Sequence, residues 1–232
     1  MSIQERYNEI LERKNAAALR SGRAPEDVIL MAVTKTHPAS ELNEVIDAGA
    51  TDIGENKVQE VLEKYEDVKP VRWHLIGHLQ TNKVKNIIDK VVMIHSVDSL
   101  HLAKEINKRA AAIDKTMDVL IEINSAMEAS KSGIAADDVK TLVREISEEC
   151  PNVRVCGLMC IPPMVESPED NRPYFRQAKM LFDDMKTWDI PEASLAPTVL
   201  SMGMSGDFEV AIEEGSTIVR VGSSIFGPRN YR

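Results

Sequence analysis

The chain of 232 residues is short of positive charge, of cysteine and of long apolar runs. Its 28 lysines and arginines face 37 acidic residues, a net charge of −9. That balance excludes a general nucleic-acid binder, which needs a basic face to displace counterions. Any phosphate must be held by local devices such as backbone N–H groups and single arginines. The three cysteines, Cys150, Cys156 and Cys160, are odd in number and lack a framework spacing. They exclude a disulfide scaffold and point to a reducing, cytoplasmic compartment. No apolar stretch approaches the ~18 residues of a membrane span. Residues 1–20 are polar and amphipathic, unlike a cleavable leader. Internal repeats, linkers and a G-x-G-x-x-G loop are also missing.

With 43% hydrophobic and 28% charged residues, the chain suits one α/β domain, 1–232, and a small-molecule ligand. A helix over 3–20 precedes the first strand. Strands are expected near 28–34, 51–54, 72–76, 91–95, 117–124, 153–161, 198–202 and 217–221. Helices are expected between them near 40–48, 55–68, 81–89, 96–112, 135–149, 168–188 and 206–214, with a last turn at 222–226. Ser40, and either Ser96 or Asp98, are candidate helix caps. Alternating strands and helices call for a parallel sheet, and eight such units call for a closed (β/α)8 barrel. An open doubly wound sheet is the competitor.

Lys35 leaves the first apolar run, 29–33, just before Pro38. A lysine at the carboxyl end of a buried strand lies where such sheets hold ligands. Two readings are open on this segment alone: a lysine snorkelling to solvent, or an imine-forming amine for a carbonyl compound. Polar, glycine-bearing segments follow most other strands, as barrel-rim loops should. Gly222-Ser223-Ser224 can present N–H groups at a helix start, and Ser201 can add a hydroxyl. An ordinary capping turn is the other reading of Gly222-Ser223-Ser224. Arg220, within the last strand, needs a partner if it points inward. Lysine and cradle together describe a pocket for a phosphorylated aldehyde.

Other polar residues carry less. His74 and His78 are separated by a strand-to-loop change and make a poor metal pair. His37 and His78 are possible pocket groups, while His95 and His101 are expected to be structural. Glu55 is expected at a helix start, favourable to the dipole. Lys83-Val84-Lys85 reads as a solvated face, and Cys156 and Cys160 as core thiols.

The strings A-V-T-K-T-H-P (32–38), G-E-N-K-V-Q-E (54–60), W-H-L-I-G-H-L-Q-T-N-K (73–83), S-K-S-G (130–133), G-L-M (157–159), L-S-M-G-M-S (200–205) and V-R-V-G-S-S-I-F-G-P-R (219–229) run in order along the chain. Together they resemble the pyridoxal phosphate homeostasis family of cofactor-binding proteins. The one departure noted is Leu75, where the family commonly has an aromatic residue. The resemblance implies a TIM barrel similar to the N-terminal domain of alanine racemase. It implies pyridoxal phosphate as cofactor, carried on Lys35 as a Schiff base. It places Asn56 and His78 near the cofactor, Arg220 at the pyridine nitrogen, and Ser201, Met202, Gly222 and Ser223 at the cofactor, mainly its phosphate. An arginine there would leave the ring nitrogen unprotonated and the ring a weaker electron sink.

The expected function is therefore to hold pyridoxal phosphate for intracellular homeostasis, without robust turnover. An amino-acid racemase is the alternative. Related racemases take a second acid/base from an added β-domain, and the sequence given stops at Arg232. A Schiff-base aldolase without the cofactor is a third reading. A monomer is expected, with no nucleic-acid or membrane partner.

Overall fold

The computed structural model describes residues 1–124 and 133–227. Eight parallel strands close into a barrel in chain order. They are β1 (Ile29–Val33), β2 (Asp52–Glu55), β3 (Arg72–Leu75), β4 (Met93–Val97), β5 (Met117–Ile123), β6 (Val153–Cys160), β7 (Leu195–Ser201) and β8 (Ile218–Val221). The outer helices are α1 (Ile3–Arg20), α2 (Ala39–Asp47), α3 (Val58–Lys64), α4 (Leu100–Ala111), α5 (Val139–Glu149), α6 (Arg172–Met185), α7 (Phe208–Glu213) and α8 (Ser223–Phe226). Among the described residues no helix is long and apolar enough to cross a membrane.

The last helix is a single turn and cannot cover the β8–β1 side of the barrel. α1 supplies the missing cover. It packs against α2, α7 and α8 and buries Ile3, Tyr7, Ile10, Ala17 and Ala18. Ser2 and Glu5 close a capping box at its start.

Side-chain alternation along the strands divides the core. Outward residues such as Leu30, Ile53, Leu75, Ile94 and Val119 join the helices in one large apolar cluster. Burying each such side chain stabilises the fold by about 1.5–3 kcal/mol. Inward residues form two small apolar clusters, one around Met31, Val33, Ile76 and Ile218, the other around Met93, Leu120, Cys156 and Met159. Other inward positions carry polar side chains, and these build the interior described below. Gly157 bends β6 at a register shift. Its φ is +139°, and a Cβ there would come 1.9 Å from the Val199 carbonyl oxygen, so only glycine fits.

Several boundaries differ from expectation. Glu55 ends β2 and pairs with Leu75, so it is not at a helix start. The polar run after Gly54 has helical propensity, but ladder pairing with β3 overrides it for Glu55. β4 runs two residues later than expected. Ser96 is therefore in the strand, and Ser99 caps α4. Pro38, not Ser40, stands at the N-cap of α2. Residues Thr81–Asn86 form a 3₁₀ segment in place of an α-helix. β7 begins three residues earlier than expected, at Leu195. All three cysteines are buried and unlinked, and burial pushes the Cys156 thiol up to about 12.

Candidate functional site

A cavity of about 230 Å³ opens at the carboxyl ends of β1, β2 and β8. Lys35, Asn56, Arg220, Gly222 and Ser223 line it together with Val33, Ile76, Ile161, Met204, Ser205 and Gly206. Pockets for drug-sized ligands span roughly 300–1,000 Å³, so this one suits a single-ring metabolite.

Lys35 is half-buried, two residues beyond the end of β1. Its two neighbours are clamped from outside the barrel. Thr34 donates its hydroxyl to Glu55 Oε1 at 2.7 Å. Lys64, from α3, donates to the Thr34 carbonyl at 3.1 Å, to Glu55 at 2.8 Å and to Glu60 at 3.0 Å. Glu60 in turn accepts the Thr36 backbone N–H at 2.6 Å. Thr36 has φ +69°, a left-handed conformation unfavourable for a β-branched residue. Such strain persists only where neighbours over-determine it, and it concentrates at functional sites. Burial raises the Glu55 carboxyl above its ordinary range against the pull of Lys64. Glu60 is held below its ordinary range, because the Thr36 N–H and Lys64 outweigh its desolvation.

Asn56 follows β2, and its backbone sits under Gly77. A Cβ at Gly77 would lie 2.4 Å from the Asn56 carbonyl oxygen, so a side chain there would push Asn56 out of place. On the far wall, the Gly222 and Ser224 N–H groups both donate to Ser205 Oγ, at long distances of 3.2 and 3.4 Å. A Cβ at Gly206 would meet nothing within 4 Å.

Arg220 points into the barrel and is buried. Its guanidinium donates to two neutral oxygens, Ser201 Oγ at 2.8 Å and the Cys160 carbonyl at 3.0 Å. Burial lowers its pKa, opposed by Asp207 and Glu122. Glu122, an inward residue of β5, has its pKa pushed up to about 7 by burial, then by Asp98, with Arg220 opposing. Its Oε2 is buried and has no hydrogen-bond partner among the described residues.

Five of the eight residues singled out from sequence thus share the cavity: Lys35, Asn56, Arg220, Gly222 and Ser223. Ser201 lies beneath it, buried between Arg220 and His95. Met202 belongs to the outer apolar cluster. His78 is exposed in the loop after β3 and does not line the cavity. His37 stacks on Phe226, ring centroids 4.5 Å apart, and bonds Glu41 at 2.7 Å. Ser130, Lys131 and Ser132 of the S-K-S-G string, and Pro228 and Arg229, lie outside the described residues. Sequence reasoning missed Ser205, which sat unremarked in a polar segment. It also missed the clamp of Glu55, Glu60 and Lys64, although G-E-N-K-V-Q-E holds two of its members.

Residues 12–230 match the family described as alanine racemase, N-terminal domain. A pyridoxal phosphate homeostasis protein of Aquifex aeolicus is 48% identical over 233 residues, covering 100% of this chain and 100% of the relative. The chain belongs to the pyridoxal phosphate homeostasis family. A solved structure in or near this family is PipY of Synechococcus elongatus with pyridoxal phosphate bound. It is 34% identical, with a TM-score of 0.79, and the match covers 94% of this chain and 100% of PipY. An alanine racemase of Clostridium difficile shares the fold at a TM-score of 0.72 and 16% identity, over 97% of this chain and 57% of the racemase. Apart from S-K-S-G, the homeostasis-family strings read from sequence begin on β1, β2, β3, β6, β7 and β8, and most of them border the cavity.

Proposed function

We propose that the protein binds pyridoxal phosphate in this cavity and holds it for intracellular cofactor homeostasis. The observation that carries the reading is the joint placement of Lys35, Arg220 and the Gly222–Ser224 turn around one small pocket. PipY, a full-length relative, has been solved with that cofactor. The site's chemistry fits the molecule. An amine stands at one wall, backbone donors converge on a hydroxyl at another, and a buried guanidinium stands between neutral oxygens.

In this reading Lys35 supplies the amine for a Schiff base, and the bound cofactor supplies the aldehyde carbon. The Gly222 and Ser224 N–H groups, with Ser223 and Ser205, take the phosphate at the start of α8. Arg220 faces the ring nitrogen and keeps it unprotonated, since guanidinium does not give up its proton. Asn56 and the apolar walls Val33, Ile76 and Ile161 orient the ring. His78, exposed here, reaches the cofactor only from the loop after β3, Ser201 acts from beneath, and Met202 acts only through the backbone that joins it to Ser201. The cofactor is held more than it is used. The buried cysteines, none of them in a disulfide, fit a cytoplasmic protein, and the reading includes a monomer, to be checked by light scattering.

The test is an absorption spectrum after adding pyridoxal phosphate, then borohydride reduction and peptide mapping. The expected result is a visible band and a reduced adduct on Lys35. In Lys35→Ala both should vanish while the circular dichroism spectrum stays unchanged. An adduct that persists in the variant would place the attachment elsewhere. Alanine racemisation at ordinary enzymatic rates would overturn the holding role in favour of the racemase.

A further inference from the structure

A continuous row of buried side chains runs along the barrel interior beneath the cavity. Arg220 Nη1 donates to Ser201 Oγ at 2.8 Å. Ser201 Oγ is 3.2 Å from His95 Nδ1. His95 Nε2 is 2.9 Å from His74 Nδ1, with the rings edge-to-face at 81°. His74 Nε2 is 2.9 Å from Asp52 Oδ1. Asp52, at the opposite end of the barrel, also accepts from Arg72 and from the Thr51 hydroxyl, both at 2.6 Å. The members come from β8, β7, β4, β3 and β2, so no one strand defines the row.

We propose that His74 and His95 are positioning residues for Arg220, forming with Ser201 and Asp52 a hydrogen-bonded row whose protons all point away from the cavity. The two ends dictate the order. Arg220 can only donate and an ionised Asp52 can only accept. Ser201 accepts from Arg220, and His95 Nδ1 is the other polar atom within reach of its hydroxyl, so its own proton goes there. His95 must then carry its proton on Nε2 and donate to His74 Nδ1. His74 carries its proton on Nε2 and donates to Asp52. Every donor then has an acceptor, and no proton is shared or missing. The reverse order would put a proton on His95 Nδ1, and the Ser201 hydroxyl proton would then lose the acceptor it has in the row. It would also require His74 to be protonated on both nitrogens.

A neutral His95 and an ionised Asp52 fit the first order. Burial above all pushes the His95 pKa well below its ordinary value, so it is neutral. His74 and Arg72 hold Asp52 down to about 2 against its desolvation, so it is ionised. The charged groups facing the row from other elements are few. Tyr7 of α1 is near Asp52 and is raised to about 12. Glu122 and Asp207 act on Arg220. The row holds the Ser201 oxygen as a fixed acceptor, which orients one arm of the guanidinium and leaves the N–H groups not taken by Ser201 or the Cys160 carbonyl for the pocket. This link to the cofactor rests on the reading of the cavity given above.

The deciding measurement is the ¹⁵N–¹H spectrum of the histidine rings in the labelled full chain near pH 7, without and with pyridoxal phosphate. The expected result is His74 and His95 each carrying one proton, on Nε2. A proton on His95 Nδ1, or on both nitrogens of His74, overturns the row. In Asp52→Asn the end group can donate as well as accept. A second set of His95 signals is expected there, and the pH midpoint of the bound cofactor's band should move by about half a unit or more. Glu122→Gln, run alongside, separates titration of that carboxyl from the row. An unmoved midpoint in folded Asp52→Asn overturns the link to the pocket. If Asp52→Asn does not fold, the wild-type ring protons still decide. If the wild type takes up no cofactor, the functional reading fails, while the row stands or falls on the cofactor-free spectrum.

Discussion

Two buried polar networks serve the two sides of this cavity, and they are built on opposite principles. Outside the barrel, behind Lys35, Glu55 and Glu60 close directly on Lys64 at 2.8 and 3.0 Å. Inside the barrel, behind Arg220, the charges of Arg220 and Asp52 are kept apart by a serine and two histidines. The outer network fixes backbone: its contacts end on the Thr34 carbonyl and the Thr36 N–H on either side of the lysine. The inner network fixes the direction of hydrogen bonds. A flexible amine needs a firm attachment point, whereas a buried guanidinium needs its donors assigned. Two cations are buried near the pocket, and they are satisfied differently: Lys64 by direct ion pairs, Arg220 by neutral oxygens.

The sharpest way to break the comparison is at Lys64. Removing one partner of a buried ion pair leaves uncompensated charge and costs about 3–5 kcal/mol. Lys64→Met should lower urea stability by that amount and slow Schiff-base formation at Lys35. The double variant Glu55→Gln/Lys64→Met should recover part of the stability. If Lys64→Met is neutral in urea, the outer network is not a closed charge cluster.

A smaller effect is expected from the inner network in acid. The folded pKa of Asp52 is lowered to about 2 from 3.8. Its stabilisation is thus complete above the unfolded value and is lost as pH falls toward the folded one. About 2 kcal/mol should disappear between roughly pH 4 and pH 2. Chemical denaturation over that range should show a flatter acid limb in Asp52→Asn. An identical limb would mean that Asp52 gains nothing from His74 and Arg72.

The smallest effect is expected at Thr36, the strained residue the outer network holds. The left-handed conformation costs about 1–2 kcal/mol in a non-glycine residue, and glycine's extra chain freedom returns about 0.5–1 kcal/mol of that. Thr36→Gly should therefore stabilise the fold by about 0.5 kcal/mol, read as a small rise in melting temperature. A fall would show that the threonine's side chain contributes more than its backbone strain removes.

Much of this was legible in sequence. Eight apolar runs alternating with helical patterns specify the barrel. A lysine, a glycine-serine turn and an arginine at strand exits fall on one rim because all parallel strands end there. The lower network was not legible. Nothing along the chain shows that the Ser201 hydroxyl meets Arg220 and His95, the latter 106 residues away. Glu55 was expected to start a helix, and pairing with Leu75 keeps it in β2.

Local pattern decided what each residue is next to along its strand and which way its side chain alternates. The amino-acid sequence by itself therefore determined the barrel, the rim on which the cavity opens and the placement of Lys35 on it. Tertiary structure alone decided which inward residues meet, because closing the barrel sets registers between strands tens of residues apart. Contacts across the barrel interior, such as His95 of β4 to Ser201 of β7, exist only after that closure.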